Sequence, residues 1–182
     1  KKYNAIICAA QAATVFGYST DSSNSLIRIY IDFIRKFDSV IADLLNQMHE
    51  LVNKYENETF VKQIHLIETI KGAGFLTAVA LMCEIGDFSV FKKPKQLFAY
   101  FGLDPAVRDS GKFSGTNVSM SKRGSRLARR VIHTIALINI GKSRSGAAHN
   151  PVLMQYYQSK CNSKPKMVAL GAVMHKVCNI VF

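Results

Sequence analysis

Between Gly102 and Val131 the chain reads G-L-D-P-A-V-R-D-S-G-K-F-S-G-T-N-V-S-M-S-K-R-G-S-R-L-A-R-R-V, and its chemistry is concentrated there. Four serines (Ser110, Ser114, Ser119 and Ser121) lie among the cations Arg108, Lys112, Lys122, Arg123, Arg126, Arg129 and Arg130, with only Asp104 and Asp109 as carboxylates. Small residues let a backbone approach a ligand closely, and N–H groups with cations favour an anion. The anion that suits such a stretch is a nucleic-acid phosphate. A serine attacking a phosphodiester must lose its proton while charge on the non-bridging oxygens is stabilised. Arginine does the second bidentately and helps the first through its field. A serine such as Ser110 is then either a nucleophile or a hydrogen-bond donor in a turn.

Other chemistries find less support. A metal-dependent nuclease needs two or more carboxylates to hold Mg²⁺. Residues 110–182 contain none, and the four between 71 and 109 are scattered, so no metal site is expected in this chain. His49, His65, His133, His149 and His175 show no paired ligand spacing, and only His149 falls in a basic loop. No phosphate-binding P-loop or dinucleotide fingerprint is present. Cys8, Cys83, Cys161 and Cys178 form no zinc spacing and read as reduced thiols of an intracellular protein.

The charge is unevenly placed. Over the whole chain of 182 residues it is +12, yet residues 1–70 carry 7 basic and 8 acidic residues, and residues 71–182 carry 17 and 4. That half looks built to lie against a polyanion. At 48% hydrophobic residues there is ample material for a core, and the apolar runs are too short to cross a bilayer, so no membrane partner is expected. The opening Lys1-Lys2-Tyr3 without Met and the apolar ending Asn179-Ile180-Val181-Phe182 read as a piece of something longer.

The elements that must position the serine loop are helical. The fold class expected is mainly α: a long coiled-coil-like helix, then a compact helical domain with a helix-hairpin-helix-like motif. Residues 1–24 read as the tail of a missing N-terminal domain, with a short helix over 4–17 closed by Gly17. Residues 25–58 form the arm, with Ser25 as its cap. Its apolar residues recur at 26, 30, 33, 37, 40, 44, 48, 51 and 55, which is heptad spacing, so a homo-oligomer through this helix is expected, with a spacer arm or an antiparallel intramolecular hairpin as the alternatives. Residues 59–182 make the domain. There Ile64–Ile70 and Phe75–Ile85 flank Lys71-Gly72-Ala73-Gly74, where hairpin N–H groups of Lys71, Gly72 and Gly74 could hold a phosphate; a plain Gly-terminated turn fits the same residues. Later helices are expected over Lys95–Phe101, from Ser119 or Ser121 through Ile140 with Leu127, Val131, Ile135 and Ile138 inward, from Pro151 to Cys161, and from Met167 onward. Ala169, Gly171 and Ala172 suit close packing in the last. Some strand is expected in Val107–Val118, with a hairpin at Lys112-Phe113-Ser114.

From Ile70 to Phe182 the chain resembles the C-terminal transposase domain of the insertion-sequence family typified by IS110 and IS116. The matching stretches are I-K-G-A-G-F-L-T-A, C-E-I-G-D-F-S-V-F, L-F-A-Y-F-G-L-D-P, D-S-G-K, S-K-R-G-S-R-L-A-R-R and H-N-P-V-L-M-Q-Y-Y, in the family's order over about 110 residues. The arm resembles the coiled coil that precedes that domain. The resemblance implies a two-part recombinase. An N-terminal RuvC-like acidic domain binds Mg²⁺, and the C-terminal domain supplies a serine that links covalently to DNA. It implies DNA as partner, and structured guide RNA for those members that use one. The family's Ser-Gly step falls on Ser110-Gly111, making Ser110 the catalytic residue, with Ser114-Gly115 as a second such step. The family's lysine-glycine-arginine pattern falls on Lys122, Gly124 and Arg126. Because the acidic domain is missing, the Mg²⁺ of the full-length enzyme has no place in this chain, and the piece is expected to be inactive alone. The alternative is a non-catalytic DNA- or RNA-binding helix-hairpin-helix module; a purely structural role is disfavoured by the carboxylate-free basic half.

Overall fold

The computed structural model describes residues 4, 7, 8, 11, 21–106, 109–110, 113–114 and 119–182, with backbone only at 109–110 and 113–114. The chain divides into two units, residues 1–54 and 55–182. The helix expected over 4–17 lies mostly outside the described residues.

The first unit contributes one long helix, α1 (Asp21–Lys54). Its 34 residues rise about 50 Å at 1.5 Å each. Leu26, Tyr30, Phe33, Phe37, Val40, Leu44 and Leu51 are all exposed along it. Ser25 is not its cap. It lies inside the helix, and its hydroxyl donates back to the Asp21 carbonyl at 2.8 Å, as interior serines do.

The second unit is an all-helical core among its described residues, apart from one short pair of strands. Helices α2 (Thr59–Glu68) and α3 (Phe75–Ile85) pack on one another, and α3 also packs on α5 (Arg126–Asn139). Helix α4 (Pro94–Tyr100) follows a single 3₁₀ turn at Phe88–Val90. Helix α7 (Lys166–Val181) is the centre, packed by α4, α5 and α6 (Pro151–Cys161). It buries Ala169, Leu170, Val173, Met174, Val177, Cys178 and Val181, a seam of three-and-four spacing that meets Ala128, Ile132, Ile135 and Ala136 of α5 in the same core. Leu81, Met82, Leu97 and Phe101 are fully buried there too. The mainly α class is as the periodicity reads.

Three local expectations fail. Ser125, not Ser119 or Ser121, caps α5, its Oγ accepting from the Ala128 N–H at 3.1 Å. Leu127, expected inward, is exposed, and Ala128 and Ile132 turn inward instead. Gly171 is not a packing glycine, since a Cβ there would meet nothing within 4 Å. The strand expected within Val107–Val118 is present: β1 (Asp109–Ser110) and β2 (Phe113–Ser114) pair antiparallel, with Asp109 opposite Ser114 and Ser110 opposite Phe113.

Candidate nucleic-acid interface

The loop carrying Ser110 springs from a locked base. Gly102 ends α4 with φ +66°, a left-handed value that glycine adopts without cost, and its neighbour across the base is Gly124. A Cβ on Gly102 would meet Gly124 N at 2.5 Å and Arg123 N at 2.6 Å. A Cβ on Gly124 would fall inside the Tyr100 carbonyl oxygen. Two backbones therefore cross in contact at a point where both residues must be glycine.

Backbone hydrogen bonds carry the crossing outward as a two-stranded stem. Lys122 N donates to Gly102 O at 2.9 Å, Ser121 N to Asp104 O at 2.8 Å and Ala106 N to Ser119 O at 2.8 Å. Pro105 and Met120 form the bridge between them. The Ser121 hydroxyl donates to the Asp104 carboxylate at 2.5 Å. Lys122 sits at φ +56°, an unusual value for a side chain with a Cβ, and costs about 1–3 kcal/mol that the surrounding bonds offset.

Arg129 closes the base from beneath. Its Nη1 donates to Phe101 O at 3.1 Å and to Gly124 O at 2.6 Å, one carbonyl from each crossing strand. Its guanidinium is therefore directed at the chain's own backbone, whereas Arg126 and Arg130 stand exposed on the same helix. Lys122 and Arg123 are exposed at the rim of the stem. Among the described residues none of these four pairs with a carboxylate. Beside Arg130, Leu76, Thr77, Ala80, Leu127 and Thr134 line a shallow groove of about 330 Å³ between α3 and α5.

The glycine turn after α2 lies at the other end of α5. Gly72 has φ +91°, and a Cβ there would touch Ile138 at 3.0 Å. Asn139, buried to 1% exposure, donates to the Lys71 carbonyl at 2.6 Å and to the Ile135 carbonyl at 2.8 Å. Asn150 donates to the Asn139 side-chain oxygen at 3.2 Å and caps α6 by accepting from Leu153 N. This network ties the turn, α5 and α6 together with no buried side-chain polar atom left over among the described residues. Lys71 and Gly74 are exposed, and Gly74 has open space where a Cβ would go. The loop that follows α5 is closed by hydrogen bonds, Ser143 N to Ala147 O at 2.7 Å and His149 N to Gly141 O at 3.0 Å, and exposes Lys142 and Arg144.

Of the expected cations, Lys122, Arg123, Arg126 and Arg130 are exposed at the stem end of α5, and Lys71 at the glycine turn near its other end. Twelve or thirteen residues of helix separate Arg126 from Ile138 and Asn139, about 18–20 Å along α5. Between them the exposed row Arg126, Arg130, Thr134 and Leu137 runs along one face. Ser110 is placed by its backbone in β1, and Arg108 and Lys112 lie outside the described residues. The spacing of motifs in the sequence pointed to neither Arg129's inward role nor the Asp104–Ser121 contact. The signal for the cap was present, because Ser125 stands immediately before the periodic run R-L-A-R-R-V.

No cluster of three metal-ligating side chains occurs among the described residues, and no helix among them is long and apolar enough to cross a membrane. The chain is 29% identical over 103 residues to a protein named transposase for insertion sequence element IS1111A from Coxiella burnetii, covering 54% of this chain and 28% of that protein. It is 24% identical over 149 residues to an insertion element IS900 uncharacterized 42 kDa protein from Mycobacterium paratuberculosis, covering 82% of this chain and 34% of that one. A putative transposase of Sinorhizobium fredii is 29% identical over 66 residues, covering 36% of this chain and 17% of that protein. The chain thus spans about a third or less of the length of these relatives. The model of one family covers residues 64–158, which include the glycine turn, the locked stem, all of α5 and most of α6. On that match, over just more than half of its length, the chain belongs to the transposase IS116/IS110/IS902 family.

Proposed function

We propose that this chain is the DNA-handling and strand-joining portion of a transposase, with Ser110 as the nucleophile of strand exchange. The observation that carries the reading is the locked base under the Ser110 loop. Gly102, Gly124 and Arg129 fix two crossing strands from which residues 107–118 emerge, with exposed Lys122, Arg123, Arg126 and Arg130 around them. A rigid base limits the freedom of the loop that starts from it, which favours orienting a nucleophile on that loop toward a bound phosphodiester. In the step itself a bond forms from Ser110 Oγ to phosphorus as one P–O bond to a sugar breaks. The serine proton passes to a base, the departing sugar oxygen takes one up, and attack by a new sugar hydroxyl reverses the exchange.

The chain's own cations bind and orient the phosphodiester, and Arg108, Lys112, Arg123 and Arg126 neutralise its charge as the transition state forms. The family resemblance calls for Mg²⁺, but the described residues form no site for it, and no step is assigned to an ion held by this chain. Two sites about 18–20 Å apart along α5 match about six base-pair steps of duplex at 3.4 Å each. The glycine turn with Lys71, Gly72 and Gly74 holds backbone phosphate at one end, and the stem holds the reacting phosphate at the other. The exposed stripe of α1 pairs with a second copy of the chain, because seven large apolar residues on one exposed helix need a partner to be covered. Structured guide RNA is a further ligand that the same cations would accept, and the bacterial or archaeal cytoplasm, at the nucleoid, is where such a protein would act.

The test is covalent capture. Full-length protein is incubated with labelled element-end DNA, denatured, and examined for an adduct that maps to a serine. An adduct lost in Ser110→Ala and kept in Ser114→Ala supports the reading. Loss in Ser114→Ala alone moves the nucleophile four residues on. No adduct in any form, with DNA binding intact, leaves the second reading, a non-catalytic nucleic-acid-binding module, which the packed α2–turn–α3 pair with its left-handed Gly72 favours.

A further inference from the structure

We infer a second DNA-backbone contact on the far helices, where Lys160 of α6 and Lys176 of α7 converge on the ring of Tyr156. The inference rests on the reading that this chain binds DNA, but on none of the residues that carry it. Lys160 Nζ lies 5.3 Å from the Tyr156 ring centroid and Lys176 Nζ 5.4 Å. The two cations come from different helices that pack against each other, and the ring between them is half-buried.

The arrangement is unusual for ordinary surface lysines. Neither α6 nor α7 contains a single Asp or Glu, so no carboxylate on either helix can compensate these charges. Among the described residues neither lysine forms an ion pair. The face of an aromatic ring attracts a cation but cannot neutralise two that it brings together. Phosphates of a polyanion, one against each ammonium group, would. The ring also limits the freedom of two flexible side chains, so less entropy is lost when they close on a ligand. Lys164, in the turn between the helices, and Lys166, the first residue of α7, are both exposed and extend the same positive run. A polyanion with regularly spaced single charges fits a run of lysines without acids, and duplex DNA is the one this family handles by its name.

The experiment is a salt titration of DNA binding with the full-length protein and a duplex of arbitrary sequence. Each phosphate contact contributes about 0.9 to the slope of log affinity against log salt. The variant carrying Lys160→Gln and Lys176→Gln should reduce that slope by about 1.8 while its melting temperature stays that of the wild type. Tyr156→Phe keeps the ring and should keep the slope; Tyr156→Leu releases both lysines and should lower affinity several-fold. An unchanged slope in the double lysine variant, with a reduced slope in Arg126→Ala, overturns this contact and leaves the α5 interface standing. If neither variant moves the slope, the DNA-binding reading falls and this inference with it. A reduction seen on structured RNA but not on duplex DNA also overturns the assignment to DNA.

Discussion

Arg129 separates the two uses an arginine in this helix can have. It donates to Phe101 O and Gly124 O, and both carbonyls belong to the strands that cross at the loop base. Hydrogen bonds from a charged donor contribute about 1.5–3 kcal/mol net. Here one nitrogen serves both acceptors in a half-buried site where water can replace it, so about 2 kcal/mol is the sum expected for Arg129→Ala. At about 3–5 °C per kcal/mol for a unit of this size, melting should fall by about 6–10 °C. Lysine keeps the charge but has a shorter reach and no planar fork, so Arg129→Lys should recover only part of the loss. Arg130→Ala, on the exposed face, should stay within about 0.5 kcal/mol of wild type. DNA binding should reverse the order. Arg130→Ala and Arg126→Ala should each reduce the salt slope by about 0.9, and Arg129→Ala should leave it unchanged at temperatures where the variant is folded. Melting is followed by calorimetry and the slope by fluorescence anisotropy. If Arg129→Ala melts like wild type and flattens the salt slope, the inward role is wrong and Arg129 belongs with the DNA ligands.

Four more outcomes can be checked. Gly74→Asp adds a good helix cap where a Cβ meets nothing within 4 Å, so it should leave stability equal or higher; in anisotropy titrations it should weaken DNA binding by repelling a phosphate at the turn, and unchanged binding would remove the turn from the interface. Asn139→Ala leaves the Lys71 carbonyl without its buried donor and should cost about 2–3 kcal/mol in chemical denaturation. Burial pushes the Cys178 thiol from 9.0 up to about 12, so folding favours the protonated form; that stability is complete below pH 9 and is lost as pH rises toward 12, with a slope that Cys178→Ala should remove from the pH-dependence of unfolding. Phe37→Lys with Leu44→Lys places two charges on the exposed stripe of α1 and should shift the full-length protein to a smaller mass in sedimentation, whereas an unchanged mass would rule out self-association through this helix.

Helices were legible wherever one face is apolar throughout. Helix α3 runs Phe75–Ile85, as its apolar run reads, and α6 starts at Pro151 because a proline fits the first helical turn. Ends governed by a single hydrogen bond were not legible. Three serines precede α5 within seven residues, and choosing among Ser119, Ser121 and Ser125 depends on which hydroxyl is already engaged. Ser121 is engaged by Asp104, seventeen residues earlier in the chain, so it is removed from competition by a contact that no local pattern contains.

The same distance in sequence explains what could and could not be read of the interface. The excess of cations after residue 70 is a property of composition and is visible without coordinates. Whether a given cation faces outward depends on which side of the helix its neighbours cover. In α5, Arg126 and Arg130 stand one turn apart on the exposed face, while Arg129, one residue before Arg130, falls about 100° round the helix toward the crossing strands. That crossing exists because Gly102 and Gly124, twenty-two positions apart, each lack the Cβ that the other's backbone would exclude. Each glycine alone reads as a turn residue; only together do they form a fixed base. A change at either, Gly102→Ala or Gly124→Ala, should therefore disturb the same stem and melt it by a comparable amount. The double substitution should cost less than the sum, since the first already separates the strands that the second would push apart.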